Sequence, residues 1–264
     1  MIKRWFIFLA LLFSSQLLQA SDSLVWLKSI RIPDARFMST DPLGNIYVVT
    51  SSNQLIRFNA DGDSNAAFHE IRKGHITQVD ATNPMRVLVF FSDFGQIAIL
   101  DKQLSLKSVL KLPALGFLNV PCIANSADGG IWIFDPIVGS LVKIDESPSV
   151  LFTTNLRNVL DEPLNPQYMI EQERQLFVVD STQGIKQFDL YGFFKQSFPF
   201  LTNEVQWINQ QLIYFKSPYL YSYQVRQFTD QKIELPNAST IFQVRTERNR
   251  VFILRENQLE IYSL

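Results

Sequence analysis

Asp41-Pro-Leu-Gly-Asn-Ile-Tyr-Val-Val-Thr50, followed after a short loop by Gln54-Leu-Ile-Arg-Phe58, is the stretch that decides the fold. It reads as a turn, a strand, a loop and a second strand. Its core returns as Arg86-Val-Leu-Val-Phe-Phe91, Gly130-Ile-Trp-Ile-Phe-Asp135, Gln175-Leu-Phe-Val-Val-Asp180, Gln211-Leu-Ile-Tyr-Phe-Lys216 and Arg250-Val-Phe-Ile-Leu-Arg255. From Asn45 onward the starts are 41, 44, 45, 36 and 39 residues apart. Periods near 40 with several strands each mark the blades of a β-propeller. Each core is β-branched, aromatic or leucine-rich and bounded by turn formers, as a strand should be. Near-continuous apolarity implies burial on both faces, which a blade held between two neighbours requires.

The second strands recur in step: Gln54–Phe58, Gln96–Leu100, Ser140–Ile144, Gly184–Phe188, Tyr219–Tyr223 and Gln258–Tyr262. They alternate polar and apolar more clearly, as less enclosed strands do. Short apolar stretches ahead of each turn, among them Phe37-Met38, Val79 and Tyr168-Met-Ile170, are expected to form the innermost strands. Six copies predict an all-β, six-bladed propeller of four-stranded blades. The sixth copy stops at Leu264 without an outermost strand, whereas residues 24–32 have strand character and no blade of their own. They are expected to pair into the last blade, which closes the ring and covers an open edge.

Met1–Ala20 has the pattern of a removable export signal. Lys3 and Arg4 precede an apolar run from Trp5 to Phe13, and the segment ends in the small residue Ala20. The run is shorter than the roughly 20 residues a membrane span needs, and no later segment reads as a transmembrane one. Residues 21–264 are expected to form one propeller domain that is periplasmic, with outer-membrane association or secretion as the alternatives. Removing Lys3 and Arg4 leaves 22 basic against 25 acidic side chains, without a long charge run. That argues against a nucleic-acid surface. The lone cysteine, Cys122, lies in an apolar context and reads as a small core residue.

Signatures of chemistry are scarce. The sequence holds no Gly-x-Ser-x-Gly elbow, no phosphate-cradling glycine loop and no His-Glu-x-x-His. Its two histidines, His69 and His75, lack a clustered cysteine or acidic partner at metal spacing and read as surface residues. Asn59-Ala-Asp-Gly-Asp-Ser64 is rich in oxygen ligands, but Glu70 is misplaced for a calcium loop, so a hairpin turn is expected. Asn155 to Pro166 reads as a surface excursion. Asp189 to Phe200 is rich in aromatics that either seal an interblade gap or form an exposed patch. Tyr214, Tyr219, Tyr221 and Tyr223 offer a third possibility, a small-ligand or glycan platform.

The candidate partner-binding rim comes from the loops after each repeated strand: Asp93, Phe94, Asp135, Asp180, Lys216, Tyr219 and Arg255. Acidic over blades two to four and basic over blades five and six, it would steer and orient a protein partner. An aspartate capping its own loop is the alternative reading of the three acids.

Asp-x-x-Gly-Asn-Ile-Tyr-Val-Val at Asp41 to Val49 and Ala-Asp-Gly-Gly-Ile-Trp-Ile-Phe-Asp at Ala127 to Asp135 resemble blades of NHL-like six-bladed propellers. The resemblance implies the fold and a wide range of activities, from gluconolactonase-type hydrolases, peptidylglycine lyases and streptogramin-lyase-like enzymes to non-enzymatic scaffolds. The hydrolases hold a divalent metal with channel Glu, Asn and Asp. At the expected inner strands this chain carries Met38, Val79, Cys122, Met169, Val205 and Phe242. An apolar channel, no cofactor and no metal are therefore expected. The chain also resembles small propellers that accompany outer-membrane secretion or assembly machines of Gram-negative bacteria. A non-catalytic scaffold with protein partners is the functional expectation, with a lyase or lactonase-like enzyme as the alternative.

Overall fold

A computed structural model describes residues 24–264; the export signal expected at 1–20 lies outside the described residues. Strand β1 (Val25–Arg31) comes first. Blade 1 holds β2 (Ala35–Thr40), β3 (Ile46–Thr50), β4 (Gln54–Phe58) and β5 (Ser64–His69). Blade 2 holds β6 (Gln78–Asp80), β7 (Val87–Phe91), β8 (Gln96–Leu100) and β9 (Leu106–Lys111). Blade 3 holds β10 (Ile123–Asn125), β11 (Ile131–Asp135), β12 (Ser140–Ile144) and β13 (Val150–Asn155). Blade 4 holds β14 (Tyr168–Gln172), β15 (Gln175–Asp180), β16 (Gly184–Asp189) and β17 (Phe194–Phe198). Blade 5 holds β18 (Gln206–Ile208), β19 (Gln211–Lys216), β20 (Tyr219–Gln224) and β21 (Thr229–Glu234). Blade 6 holds β22 (Gln243–Glu247), β23 (Arg250–Leu254) and β24 (Gln258–Ser263).

All six sheets are four-stranded and antiparallel, and β1 supplies the fourth strand of blade 6. The expected closure is present: Val25 pairs with Ser263 and Arg31 with Gln258, with a register shift between Trp26 and Lys28. The oxygen-rich turn of blade 1 lies against this closure. Lys28 Nζ is 3.2 Å from Asp63 Oδ1 and Arg250 Nη2 is 3.0 Å from Asp61 Oδ1. Asn59 Oδ1 accepts the Asp61 and Asp63 N–H groups, so the segment is a hairpin turn.

Two turns show how the sequence fixes the repeat. Asp41 Oδ1 accepts the N–H groups of Leu43 and Asn45, while Gly44 takes a φ of +85°. At Gly184, φ is +83° and an added Cβ would meet the Phe198 carbonyl oxygen at 2.3 Å, so only glycine fits. The repeated strands β3 and β7 are buried at every position, as their unbroken apolarity requires.

The core is divided among six apolar clusters, one per gap between neighbouring blades. Trp132, Cys122 and Met169 share the gap between blades 3 and 4 with Leu156. Leu160 and Leu164 pack against the same cluster, so the irregular 155–166 connection is anchored through its leucines. Cys122 is fully buried, and burial pushes its thiol well above the ordinary range. The aromatic segment of blade 4 divides between its two expected roles. Phe198 and Phe200 seal the gap to blade 5, while Tyr191 and Phe193 are exposed at the opposite end of the sheet.

Candidate functional site

The channel is polar, which corrects the apolar expectation. Met38, Val79, Cys122, Met169 and Val205 are buried in the interblade clusters, and Phe242 is exposed at the mouth. Their chain neighbours face the axis. Successive strand residues point to opposite sides, and each inner strand alternates, as in Gln78-Val79-Asp80 and Gln243-Val244-Arg245. The apolar partner goes to a gap and the polar one to the channel. That alternation was present in the sequence, and reading only the apolar members concealed it.

These polar side chains stitch the ring. Gln78 Oε1 accepts the Ile123 N–H at 3.0 Å, and its Nε2 donates to the Ile123 carbonyl at 2.7 Å. Gln206 grips both backbone groups of Thr246 at 2.9 and 3.1 Å. Gln243 does the same to Met38 at 2.5 and 2.8 Å. Asp80 Oδ2 accepts the Asn125 N–H at 2.7 Å, and Gln172 Oε1 that of Trp207 at 2.7 Å. Glu171 accepts from the Ser126 hydroxyl, the Ala127 N–H and the Trp132 indole. An inner strand has a bare edge toward the axis, and a buried edge with unmade hydrogen bonds is costly. Each carboxamide supplies a donor and an acceptor in one group, which matches one residue of that edge.

One charged cluster occupies the end of the channel where the inner strands begin. Arg245 Nη2 lies 2.9 Å from Glu204 Oε2 and donates to the Tyr168 hydroxyl at 2.8 Å. Gln243 Nε2 donates to the same Glu204 oxygen at 2.7 Å. Burial pulls the Arg245 pKa down, but Glu204 and Tyr168 outweigh it and hold the guanidinium protonated. Burial also raises Glu204, against the pull of Arg245, and pushes Tyr168 up to about 12. A cavity of about 220 Å³ opens here, lined by Arg36, Phe37, Gln78, Tyr168, Glu204 and Arg245 among others. Toward the other end, burial pushes Glu247 up to about 7. Its Oε1 is 3.3 Å from Thr40 Oγ1 and 3.4 Å from Gln206 Nε2. A second cavity of about 280 Å³ lies at that end, lined by Glu171, Glu173, Trp207 and Glu247 among others.

The seven rim residues lie on the face where the inner strands begin, in the loops joining second to third strands. Phe94 is 56 % exposed, and Lys216 is exposed. Asp93 accepts the His75 N–H at 2.9 Å and faces His75 Nδ1 at 2.8 Å, which holds its carboxyl below the usual range. Asp135 caps its own turn through the Ile137 N–H. Asp180 is 1 % exposed. Burial pushes its carboxyl up, but the Thr182 hydroxyl and the N–H groups of Asn165, Thr182 and Gln183 prevail and lower it. Arg255 is also buried, donating to the Pro236 and Asn237 carbonyls with Glu260 3.1 Å away. Asp180 and Arg255 thus spend their polar groups inside the blades and leave the exposed rim to Asp93, Phe94 and Lys216, with Asp135 half-buried beside them. Lys216 and Tyr219 are brought together as cross-strand partners. Tyr219 is half-buried under Lys232, whose Nζ lies 4.4 Å from the ring centre. The other tyrosines form a stack against blade 4: Tyr214 and Tyr221 are 5.1 Å apart at 6°, and Phe200 and Tyr214 are 5.1 Å apart.

Sequence reading passed over the apolar members of this face. Ile71, Leu118, Ile137, Val138, Leu201 and Phe242 are all exposed there with Phe94. Both histidines are exposed in the blade 1–2 region, away from the axis. Among the described residues, no three His, Cys, Asp or Glu side chains are grouped so as to hold a metal ion.

No known family profile matches the sequence, and no curated protein does. Solved structures match in fold. An inactive histidine-to-alanine variant of virginiamycin B lyase from Staphylococcus aureus, with quinupristin, superposes with a TM-score of 0.64 at 10 % identity, over 92 % of this chain and 98 % of that one. The Pan2 WD40 domain of Neurospora crassa gives 0.62 at 10 % identity, over 92 % and 96 %. BamB from Moraxella catarrhalis gives 0.50 at 10 % identity, over 92 % and 98 %. This chain is a β-propeller. Likeness at such identity extends to the fold alone.

Proposed function

We propose that this propeller is a non-catalytic protein-interaction module working outside the cytoplasm, as a subunit or accessory of an outer-membrane complex. The observation that carries the reading is the apolar content of the rim face. Ile71, Phe94, Leu118, Ile137 and Phe242 stand exposed on this face around a polar channel mouth, where a docked partner would cover them. Asp93, Asp135 and Lys216 provide a charged surround that favours one docking orientation. The channel groups support the same reading, because Gln78, Asp80, Glu171, Gln206 and Gln243 are engaged in holding the ring. Export rests on the Met1–Ala20 pattern. The fold is shared by a lyase and by propellers such as Pan2 and BamB, so the site carries the choice between binding and catalysis.

Affinity purification from membranes under complex-preserving conditions tests the proposal. A stoichiometric partner should co-purify with the native protein and be lost with Phe94→Asp and Ile137→Asp, while the thermal transition stays unchanged. Recovery of free monomer alone, or turnover of lactones or peptide lactones by the purified protein, overturns it.

A further inference from the structure

Among the described residues three arginines are buried, Arg86, Arg245 and Arg255. Two of them use every guanidinium nitrogen. Arg86 donates through Nε and both Nη atoms to Asn125, Gly129, Gly130 and Glu146. Arg255 donates through its Nη atoms to the Pro236 and Asn237 carbonyls, and its Nε lies 3.1 Å from Glu260 Oε2. Arg245 is different. Only its Nη2 is engaged, by Glu204 and the Tyr168 hydroxyl. Its Nε is buried without a hydrogen-bond partner, and its Nη1 donates none among the described residues. A buried donor left unpaired is costly, so a buried arginine with two idle nitrogens calls for a reason.

The cavity of about 220 Å³ at the channel mouth supplies one, because Arg245 lines it together with a second guanidinium, Arg36. Arg36 sits where β2 shifts register against β3, between Ala35 and Phe37. Such a bulge re-aims a side chain out of the strand's alternation. Arg36 is exposed and makes no ion pair among the described residues. The charged side chains lining the cavity are therefore two guanidiniums and one carboxylate, Glu204, which leaves at least one positive charge uncompensated. Asp93 acts on Arg36 but is engaged by His75. Glu247 acts on Arg245 from further along the channel and is not part of the lining.

We propose that this cavity binds a small monocarboxylate with an apolar body. One carboxylate oxygen accepts from the idle Arg245 Nη1 and the other from Arg36, and such charge-assisted hydrogen bonds are the strong ones. The Tyr168 hydroxyl accepts from Arg245 and keeps its own proton to donate. Phe37 and Phe242 also line the cavity and give the apolar body an aromatic wall. The volume lies below the roughly 300–1,000 Å³ typical of sites for drug-sized ligands, which keeps the ligand small. Glu204, on the same wall, repels a second negative charge and so disfavours phosphate. The inference stands on the cavity alone and needs no partner docked on the rim.

Ligand-observed NMR titration of the purified protein with hexanoate and phenylacetate tests it, with phenylacetamide and inorganic phosphate as comparators. At least one of the two carboxylates should bind with a Kd of about 1 mM or tighter. Phenylacetamide, which keeps the shape and loses the charge, should bind at least about tenfold more weakly than that carboxylate, and so should phosphate. Arg36→Ala removes an exposed side chain and keeps the fold; it should weaken carboxylate binding about tenfold, the worth of one charge-assisted hydrogen bond. Arg245→Met combined with Glu204→Gln leaves neither buried charge without its partner and should abolish binding, with the thermal transition reporting that the fold is kept; if it is not kept, Arg36→Ala decides. The inference is overturned if neither carboxylate binds below about 10 mM, if phenylacetamide or phosphate binds as well as the carboxylates, or if Arg36→Ala leaves the affinity unchanged.

Discussion

The gap between blades 1 and 2 and the gap between blades 5 and 6 are built from the same repeat and solve the packing problem differently. In the first, Tyr47, Val49, Val87, Val89 and Phe91 interlock with no exposure. In the second, Leu220, Val244, Val251 and Tyr262 form a thinner seam beside an open cleft. The inner edge of the thin seam is held by Gln206 on Thr246. The contrast teaches that a closed ring does not need six equal joints. Blades 5 and 6 are neighbours because the four other blades and the β1 closure fix their positions, so their shared seam is free to carry polar groups.

The comparison can be broken most directly by truncation. Phe91→Ala in the tight gap should cost about 3–5 kcal/mol, while Leu220→Ala, beside a cleft that water already reaches, should cost less than about 2 kcal/mol; urea titration of each variant reads the difference. Equal losses would show that the two seams bear load equally.

The next effect is set by pH at the inner end of the thin seam. Glu247 meets Gln206 of blade 5 and Thr40 of blade 1, and burial raises it from 4.5 to about 7. The folded state holds this proton more tightly than the unfolded chain. The stabilisation tied to it is therefore full below pH 4.5 and lost as pH rises through about 7. The whole window is worth about 3 kcal/mol at most. Glu247→Gln should flatten the fall in stability between pH 5 and 8, measured by urea midpoints at both pH values.

A smaller loss separates the two kinds of seam through their carboxamide grips. Gln206→Ala and Gln78→Ala each leave a backbone N–H and C=O unpaired, at about 1–3 kcal/mol. Hydrogen exchange should then show β22 opening locally in the first variant and only global opening in the second, since apolar packing alone still holds the second seam. The smallest effect has the opposite sign. Ser222→Val should add about 1 kcal/mol by burying apolar surface in the thin gap, with a raised thermal midpoint, and it should narrow the cleft.

Much of the architecture was legible because its cause is local. Blade number follows from the repeated strands, and closure from a strand-like Val25–Ile32 facing a last repeat one strand short. Asp135 as the cap of its own loop was legible for the same reason, since its hydrogen-bond partner lies two residues away. The channel was read wrongly. Met38 and Val79 were assigned to it because they sit on inner strands, yet side-chain direction within a strand sends them to the gaps. Asp180 and Arg255 were placed on the rim by position in the repeat. Their burial depends on distant segments, Asn165 for one and Pro236–Asn237 for the other, arriving beside them.

By itself the sequence determined the number of sheets, their strand order and the pairing of residues 25–31 with the last repeat. Those follow from periodic apolarity and turn residues, which act within a few positions of one another. Tertiary structure alone decided that Gln78, Gln206 and Gln243 stitch the axis, that Arg245 pairs with Glu204, and that one seam is left thin. Those properties belong to edges and faces of different blades meeting around an axis, and what a carboxamide or guanidinium does is set by the groups that the ring brings opposite it.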